Sequence, residues 1–228
     1  MTRIKICGLN DAAGFDAACD GGADYIGLNF FPPSPRAVTP AQAAALAARR
    51  RGALPRLVGL FVNPSEAAIA DTLAAVPLDI LQLYVAPDRA AALRARFALP
   101  VWRAAGVSTT ADLPASCAGA DALLVEAKPP PGATRPGGNA VRFDWSLLAG
   151  WTAPCPWLLA GGLTAANVAE AIRITAAPAV DVSSGVERAP GVKDPALIHA
   201  FIAAARGAAM PEHRATGPGG AANFGSWT

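Results

Sequence analysis

No stretch of about 18 or more apolar residues occurs in this chain, so nothing in it reads as a membrane span and no membrane partner is expected. The N-terminus, Met1-Thr2-Arg3, passes directly into a strand-like run with no apolar leader, which makes a cytoplasmic location the expectation. Neither sign of charge dominates. Nineteen Lys and Arg against 17 Asp and Glu give a formal net charge of +2, too balanced for the basic stripe of a nucleic-acid binder, so no nucleic-acid partner is expected. Cysteine is sparse: Cys7, Cys19, Cys117 and Cys155 form no Cys-x-x-Cys pair and show no metal-ligand spacing. In a reducing compartment all four are expected to be free thiols. The glycine fingerprint of dinucleotide-binding folds is missing after the first strand, where Gly8-Leu9-Asn10 stands instead. No internal repeat is visible.

What is present is alternation. Of 228 residues, 53% are hydrophobic, enough for a substantial core in one domain. Continuous apolar runs, of which Leu57-Val58-Gly59-Leu60-Phe61-Val62 is typical, read as strands buried on both faces. They fall at 3–7, 24–30, 56–62, 79–84, 101–105, 121–126, 156–160 and 179–183. Between them, Ala-rich stretches near 11–21, 40–51, 65–75, 87–97, 164–174 and 194–206 read as helices. Start signals support three of these: Thr39-Pro40, Asn63-Pro64-Ser65 and Thr164. Residues 109–117 and 144–149 have room only for short helices. Eight strands alternating with helices predict a single-domain α/β fold, a closed (β/α)8 TIM barrel over residues 1–206. An open doubly wound sheet is the runner-up, weakened by the missing fingerprint. Residues 127–143 form a Pro- and Gly-rich loop that reads as a mobile cover or a solvated connection. Residues 207–228 lack periodicity and are expected to be a disordered tail.

In such a barrel, chemistry gathers at the C-terminal ends of the strands. Gly161-Gly162 after the seventh strand and Ser184-Gly185 after the eighth leave bare backbone N–H groups at neighbouring turns, which together would seat a phosphate dianion; the alternative is that the glycines only permit tight turns. Period-two alternation sends Lys5 and Cys7 into the barrel and Ile4 and Ile6 outward. Asp181, on the neighbouring eighth strand, is the expected partner of the interior ammonium. A cation beside Cys7 would favour the thiolate and make it a usable base; the alternative is a small apolar filler. Glu126 ends an apolar strand, where burial would raise its pKa and suit it to general-acid work; the alternative is a salt bridge to Lys128 or Arg142 at the rim. Arg36, held on a proline-stiffened loop, suits a substrate carboxylate through a forked pair of hydrogen bonds, or it is a plain surface arginine. The thiolate and the protonated carboxyl together predict a bell-shaped pH profile, with the thiol setting the acidic limb and the carboxyl the alkaline one.

Taken in order, Lys5-Ile6-Cys7-Gly8, Ser34-Pro35-Arg36, Gln82-Leu83, Phe143-Asp144-Trp145, Leu159-Ala160-Gly161-Gly162-Leu163, Val180 through Glu187 and Gly191-Val192-Lys193-Asp194 resemble the phosphoribosylanthranilate isomerases of tryptophan biosynthesis. The resemblance covers about residues 3–206. It implies a (β/α)8 barrel and an Amadori rearrangement of a small phosphorylated substrate, N-(5′-phosphoribosyl)anthranilate, to the 1-deoxyribulose 5-phosphate isomer. No cofactor and no metal are implied. An acid protonates the ribose ring oxygen, the ring opens to a Schiff base, and a base takes the C2′ proton. By the same resemblance Cys7 is the general base and Glu126 the general acid. Arg36, Gln82 and Asp181 are substrate-binding, and Gly161, Gly162, Ser184 and Gly185 hold phosphate. Glu126 stands where the family usually has aspartate, Tyr84-Val85 where it has His-Gly, and Ala140 where a glycine is common. A related sugar-phosphate barrel with an altered substrate and a catalytically weakened phosphate-ligand binder therefore stay open beside the isomerase. Both a monomer and a homodimer are compatible with the sequence.

Overall fold

A computed structural model describes residues 1–52, 54–130, 132, 137 and 142–208. The expected tail from residue 209 onward, and most of the loop at 127–143 including Ala140, lie outside the described residues. In chain order the elements are β1 (Arg3–Cys7), α1 (Ala12–Asp20), β2 (Tyr25–Asn29), α2 (Pro40–Ala47), β3 (Arg56–Val62), α3 (Glu66–Ala75), β4 (Ile80–Tyr84), α4 (Pro87–Phe97), β5 (Val101–Val107), β6 (Ala122–Ala127), β7 (Trp157–Leu159), α5 (Val168–Thr175), β8 (Ala179–Val182), β9 (Glu187–Ala189), β10 (Val192–Lys193) and α6 (Pro195–Arg206). Strands β1 to β8 pair in parallel in sequential order and close, β1 against β8, into the expected (β/α)8 barrel.

The helices begin where side chains can satisfy their first N–H groups. Asp11 accepts from the Gly14 N–H, Thr39 and Gln42 form a reciprocal capping box before Pro40, Ser65 accepts from Ala68, and Asp194 accepts from Ala196 and Leu197. The start expected at Thr164 is displaced. Asn167 Oδ1 accepts from the Thr164 N–H at 2.8 Å and folds 164–167 into a turn, so α5 begins at Val168. Among the described residues, the segments after β5 and β6 hold single 3-10 turns, Thr110–Asp112 and Trp145–Leu148. An antiparallel hairpin, β9 with β10, follows β8 and was not anticipated.

Alternation along the strands divides the core in two. Ile4, Ile6, Leu57, Leu81, Leu83, Leu123 and Val125 face outward into the layer between barrel and helices. Tyr25, Val58, Ile80, Trp102, Ala122, Leu124, Leu158, Ala160 and Ala179 fill the barrel interior. Trp102 meets Tyr25 edge to face at 4.9 Å, among interior alanines that make room for the indole. This plug fills the barrel interior beneath the C-terminal strand ends.

One expectation is corrected. Cys117 and Cys155 form a disulfide, with Cα atoms 6.0 Å apart. Thirty-eight residues separate them in sequence, but they lead into β6 and β7, which are neighbours in the barrel. Barrel closure brings the two thiols together at the end remote from the strand C-termini. Cys7 and Cys19 are free thiols.

Candidate active site

The C-terminal strand ends surround an open pocket enclosing about 800 Å³ of empty space, lined among others by Cys7, Arg36, Gln82, Tyr84, Glu126, Gly161, Gly162, Asp181 and Ser184. Eight of the nine residues singled out from sequence therefore share one cavity. Gly185 is the exception and does not line it.

On one side stands the thiol. Register pairs Lys5 with Asp181 across β1 and β8, and the Lys5 ammonium donates to Asp181 Oδ1 at 2.7 Å. Lys5 is fully buried. Burial opposes its charge most strongly, yet Asp181 and Cys7 outweigh it and carry the ammonium to about 12. The expected ion pair is present. Its effect on Cys7 is not the expected one. Burial pushes the thiol up and Asp181 adds to that rise, while Lys5 pulls only partly against them, so Cys7 sits above its ordinary value as a thiol. Desolvation of a fully enclosed thiolate costs more than one neighbouring ammonium returns, the more so with a carboxylate beside it.

On the other side stands the carboxyl. Glu126 on β6 is 7% exposed, and burial raises its pKa to about 8. Asp181 also raises it, whereas Tyr84 and Lys5 pull it down. Neither rim salt bridge forms: Lys128 pairs with Asp112, and the Arg142 guanidinium lies 5.0 Å from the Trp145 ring. The partner of Glu126 is Tyr84, whose hydroxyl donates to Oε1 at 2.7 Å. With the thiol above its ordinary value and the carboxyl near 8, the order of titration is the reverse of that expected from sequence.

Arg36 arrives on a loop locked by Ser34, whose hydroxyl oxygen accepts from Asn29 Nδ2 at 3.1 Å and from the Arg36 N–H at 3.2 Å. It is 5% exposed, not a surface arginine. Its Nε and Nη2 edge is taken by Glu187, at 2.6 and 2.9 Å. Glu187 also accepts from Lys193 at 2.8 Å, and Lys193 in turn donates to the Ser183 carbonyl at 2.8 Å. Burial disfavours the Glu187 carboxylate, but Arg36 and Lys193 outweigh that and hold its pKa low. The Glu187–Lys193 brace is what the β9–β10 hairpin delivers to the site. Sequence reading assigned these two residues no role, although a Glu and a Lys six positions apart around Gly191 were a readable sign of a turn bringing them together.

Gln82, 1% exposed on β4, has no partner for either amide atom among the described residues. Elsewhere on the pocket rim, after β7 and β8, the two glycine-containing turns meet. Gly161 and Gly162 adopt φ of 89° and 65°, conformations that other residues reach only with strain. Gly185 packs so closely on the Leu163 carbonyl that no Cβ fits. Its part is to join the two turns, while Gly161, Gly162 and Ser184 face the pocket.

A family model described as N-(5′-phosphoribosyl)anthranilate isomerase matches residues 4–204. Proteins of that name from Granulibacter bethesdensis and Paracoccus denitrificans are 56% and 58% identical over 209 and 207 residues, covering 91% and 89% of this chain and 100% and 96% of their own. Among solved structures, TrpF from Jonesia denitrificans superposes with a TM-score of 0.77 at 38% identity, covering 91% of this chain and 98% of that one. A phosphoribosyl anthranilate isomerase in complex with reduced 1-(o-carboxyphenylamino)-1-deoxyribulose 5-phosphate gives 0.75 at 32%, covering 91% and 100%. With the match spanning the barrel from β1 through most of α6, and with the pocket residues of its motifs assembled at one rim, this chain belongs to the N-(5′-phosphoribosyl)anthranilate isomerase family.

Proposed function

We propose that this chain isomerises N-(5′-phosphoribosyl)anthranilate by acid–base catalysis, with Glu126 as the acid and Cys7 as the base. The observation that carries this reading is the pairing of a carboxyl whose pKa is raised to about 8 with a thiol, in one pocket whose rim carries two glycine turns. A carboxyl near 8 retains its proton at neutral pH and can deliver it to the ribose ring oxygen as the C1′–O bond breaks. The resulting Schiff base acidifies the C2′ hydrogen, which Cys7 takes. Substrate and product are isomers, so proton transfers alone balance the reaction.

The other residues bind. Gly161, Gly162 and Ser184 offer backbone N–H groups to the phosphate, and Gly185 fixes one turn against the other. Arg36 meets the anthranilate carboxylate at an edge other than the one Glu187 holds. Gln82 offers the sugar hydroxyls an amide with neither end partnered among the described residues. Asp181 keeps Lys5 charged and lines the pocket. No feature of the pocket favours the altered-substrate or weakened-binder alternative. No helix among the described residues is long and apolar enough to cross a membrane, and a cytoplasmic biosynthetic role fits that.

The test is a steady-state assay following the loss of phosphoribosylanthranilate fluorescence. Wild type should turn over, and Cys7→Ala and Glu126→Gln should each lose about 10²–10⁴-fold in kcat. Either variant working at the wild-type rate removes its residue from the assigned role.

A further inference from the structure

We propose that Tyr84 is a positioning residue for Glu126: its phenol fixes one carboxyl oxygen as an acceptor, so that the proton Glu126 delivers is carried by the other. This rests on the assignment of Glu126 as the acid. Tyr84 Oη donates to Glu126 Oε1 at 2.7 Å. The two side chains come from strands that are not neighbours, β4 and β6, and reach each other because β5 between them is small at this level. Gly106 stands opposite Glu126 in the register, and Ala104 packs partly against the barrel interior. A hydroxyl that donates to Oε1 occupies that oxygen's outward lone pair, and a proton there would be opposed by the phenol hydrogen. The acidic proton therefore resides on Oε2.

The third side is closed by backbone. A Cβ on Gly137 would collide with the Tyr84 hydroxyl and stand 2.8 and 2.9 Å from the two carboxyl oxygens of Glu126. Phenol and backbone together leave the carboxyl little room to rotate. A glutamate has more rotatable bonds than its task needs, and holding it in one rotamer keeps the proton aimed at one point.

The phenol acts on titration as well as direction. The charged and titratable groups facing Glu126 are Lys5 from β1, Tyr84 from β4 and Asp181 from β8, with Cys7 facing Tyr84. Of these, Tyr84 is the one that hydrogen-bonds the carboxylate and pulls its pKa down against burial. Tyr84 itself is held far above the range where it would ionise, by burial first and Glu126 second, so it remains a donor throughout the working range.

The experiment compares wild type, Tyr84→Phe, Glu126→Gln, Glu126→Asp and Tyr84→Phe/Glu126→Asp, with circular dichroism to confirm that each folds. Tyr84→Phe should lower kcat by about 10- to 100-fold with KM within about twofold. Its acidic pH limb should move upward by about one pH unit, the worth of one hydrogen bond to a carboxylate. In the Glu126→Asp background the shorter side chain withdraws from the phenol, so adding Tyr84→Phe should cost less than about threefold. Three results overturn the proposal: an unmoved limb, a loss confined to KM, or an equal loss in both backgrounds. The last two would make Tyr84 a direct substrate contact. If Glu126→Gln keeps the wild-type kcat, the acid assignment itself fails, whatever Tyr84→Phe does.

Discussion

The thiol side of the pocket is internally complete, and the carboxyl side is not. Around Cys7, every charge has a partner in the fold: Lys5 with Asp181, Arg36 with Glu187, Lys193 with Glu187 and Ser183. Around Glu126, the one side-chain partner among the described residues is a phenol on one carboxyl oxygen, and two residues before that phenol Gln82 has both amide atoms buried without a partner among the same residues. The base side is thus assembled on folding, whatever ligand is present. The acid side keeps polar groups unsatisfied, which is costly in an interior, and the arrangement makes sense if the substrate supplies the missing partners.

Breaking the base side should have the largest effect. Asp181→Asn leaves the fully buried Lys5 without its counter-ion and should lower unfolding free energy by about 3–5 kcal/mol, read from denaturant midpoints. Replacing both partners, as in Lys5→Met/Asp181→Leu, should restore most of that loss, because the penalty comes from the orphaned charge. Where Asp181→Asn folds, Cys7 should also titrate lower, since Asp181 raises it and Lys5 lowers it. The rate of alkylation by iodoacetamide against pH reads this directly. A variant unchanged in both stability and thiol titration would show that the ion pair does not organise the base side.

The pH dependence of the wild type links the two sides. The proposed mechanism needs a protonated Glu126 and an ionised Cys7, and that shares its proton count with the commoner form in which the thiol holds the proton. The first proton leaves the pair near 8 and the second above the ordinary thiol range. Below about 8 both groups are protonated and the base is missing, so kcat/KM should rise about tenfold per pH unit up to that point. It should fall only once the thiol's proton is also lost, when the acid is missing. A maximum below pH 7, or a flat profile from 6 to 9, would contradict the pair.

The barrel was legible because its signal is distributed. Eight apolar runs with helical stretches between them fix strand order, and strand order fixes which residues reach the rim. Cys7, Glu126, Asp181 and the two glycine turns could be placed from alternation alone, as could the Lys5–Asp181 pair, because β1 and β8 must be neighbours in a closed barrel. What sequence hid were contacts that depend on side-chain reach. Tyr84 meets Glu126 across an intervening strand, Arg36 turns an edge to Glu187, and Cys117 meets Cys155 beneath adjacent strands. The sign of the shift at Cys7 was hidden for a related reason. A neighbouring lysine was visible in sequence, but the depth of burial that outweighs it, with Asp181 adding to the rise, was not.

The smallest effect should come from Gln82, and it bears most directly on the contrast between the two sides. Gln82→Leu removes two buried polar atoms that have no partner among the described residues and keeps the volume similar. If those atoms are held for the substrate, the free protein should gain about 1 kcal/mol of stability, a rise in Tm of about 2–4 °C for a domain of this size. The same change should raise KM by about tenfold through one lost hydrogen bond of about 1.4 kcal/mol. The two measurements must move in opposite directions, which a purely structural role cannot produce. A residue that only packs would lose stability on substitution and leave KM alone. If Gln82→Leu is less stable and binds substrate as before, the amide has a partner in the free protein, and the acid side is as complete as the base side.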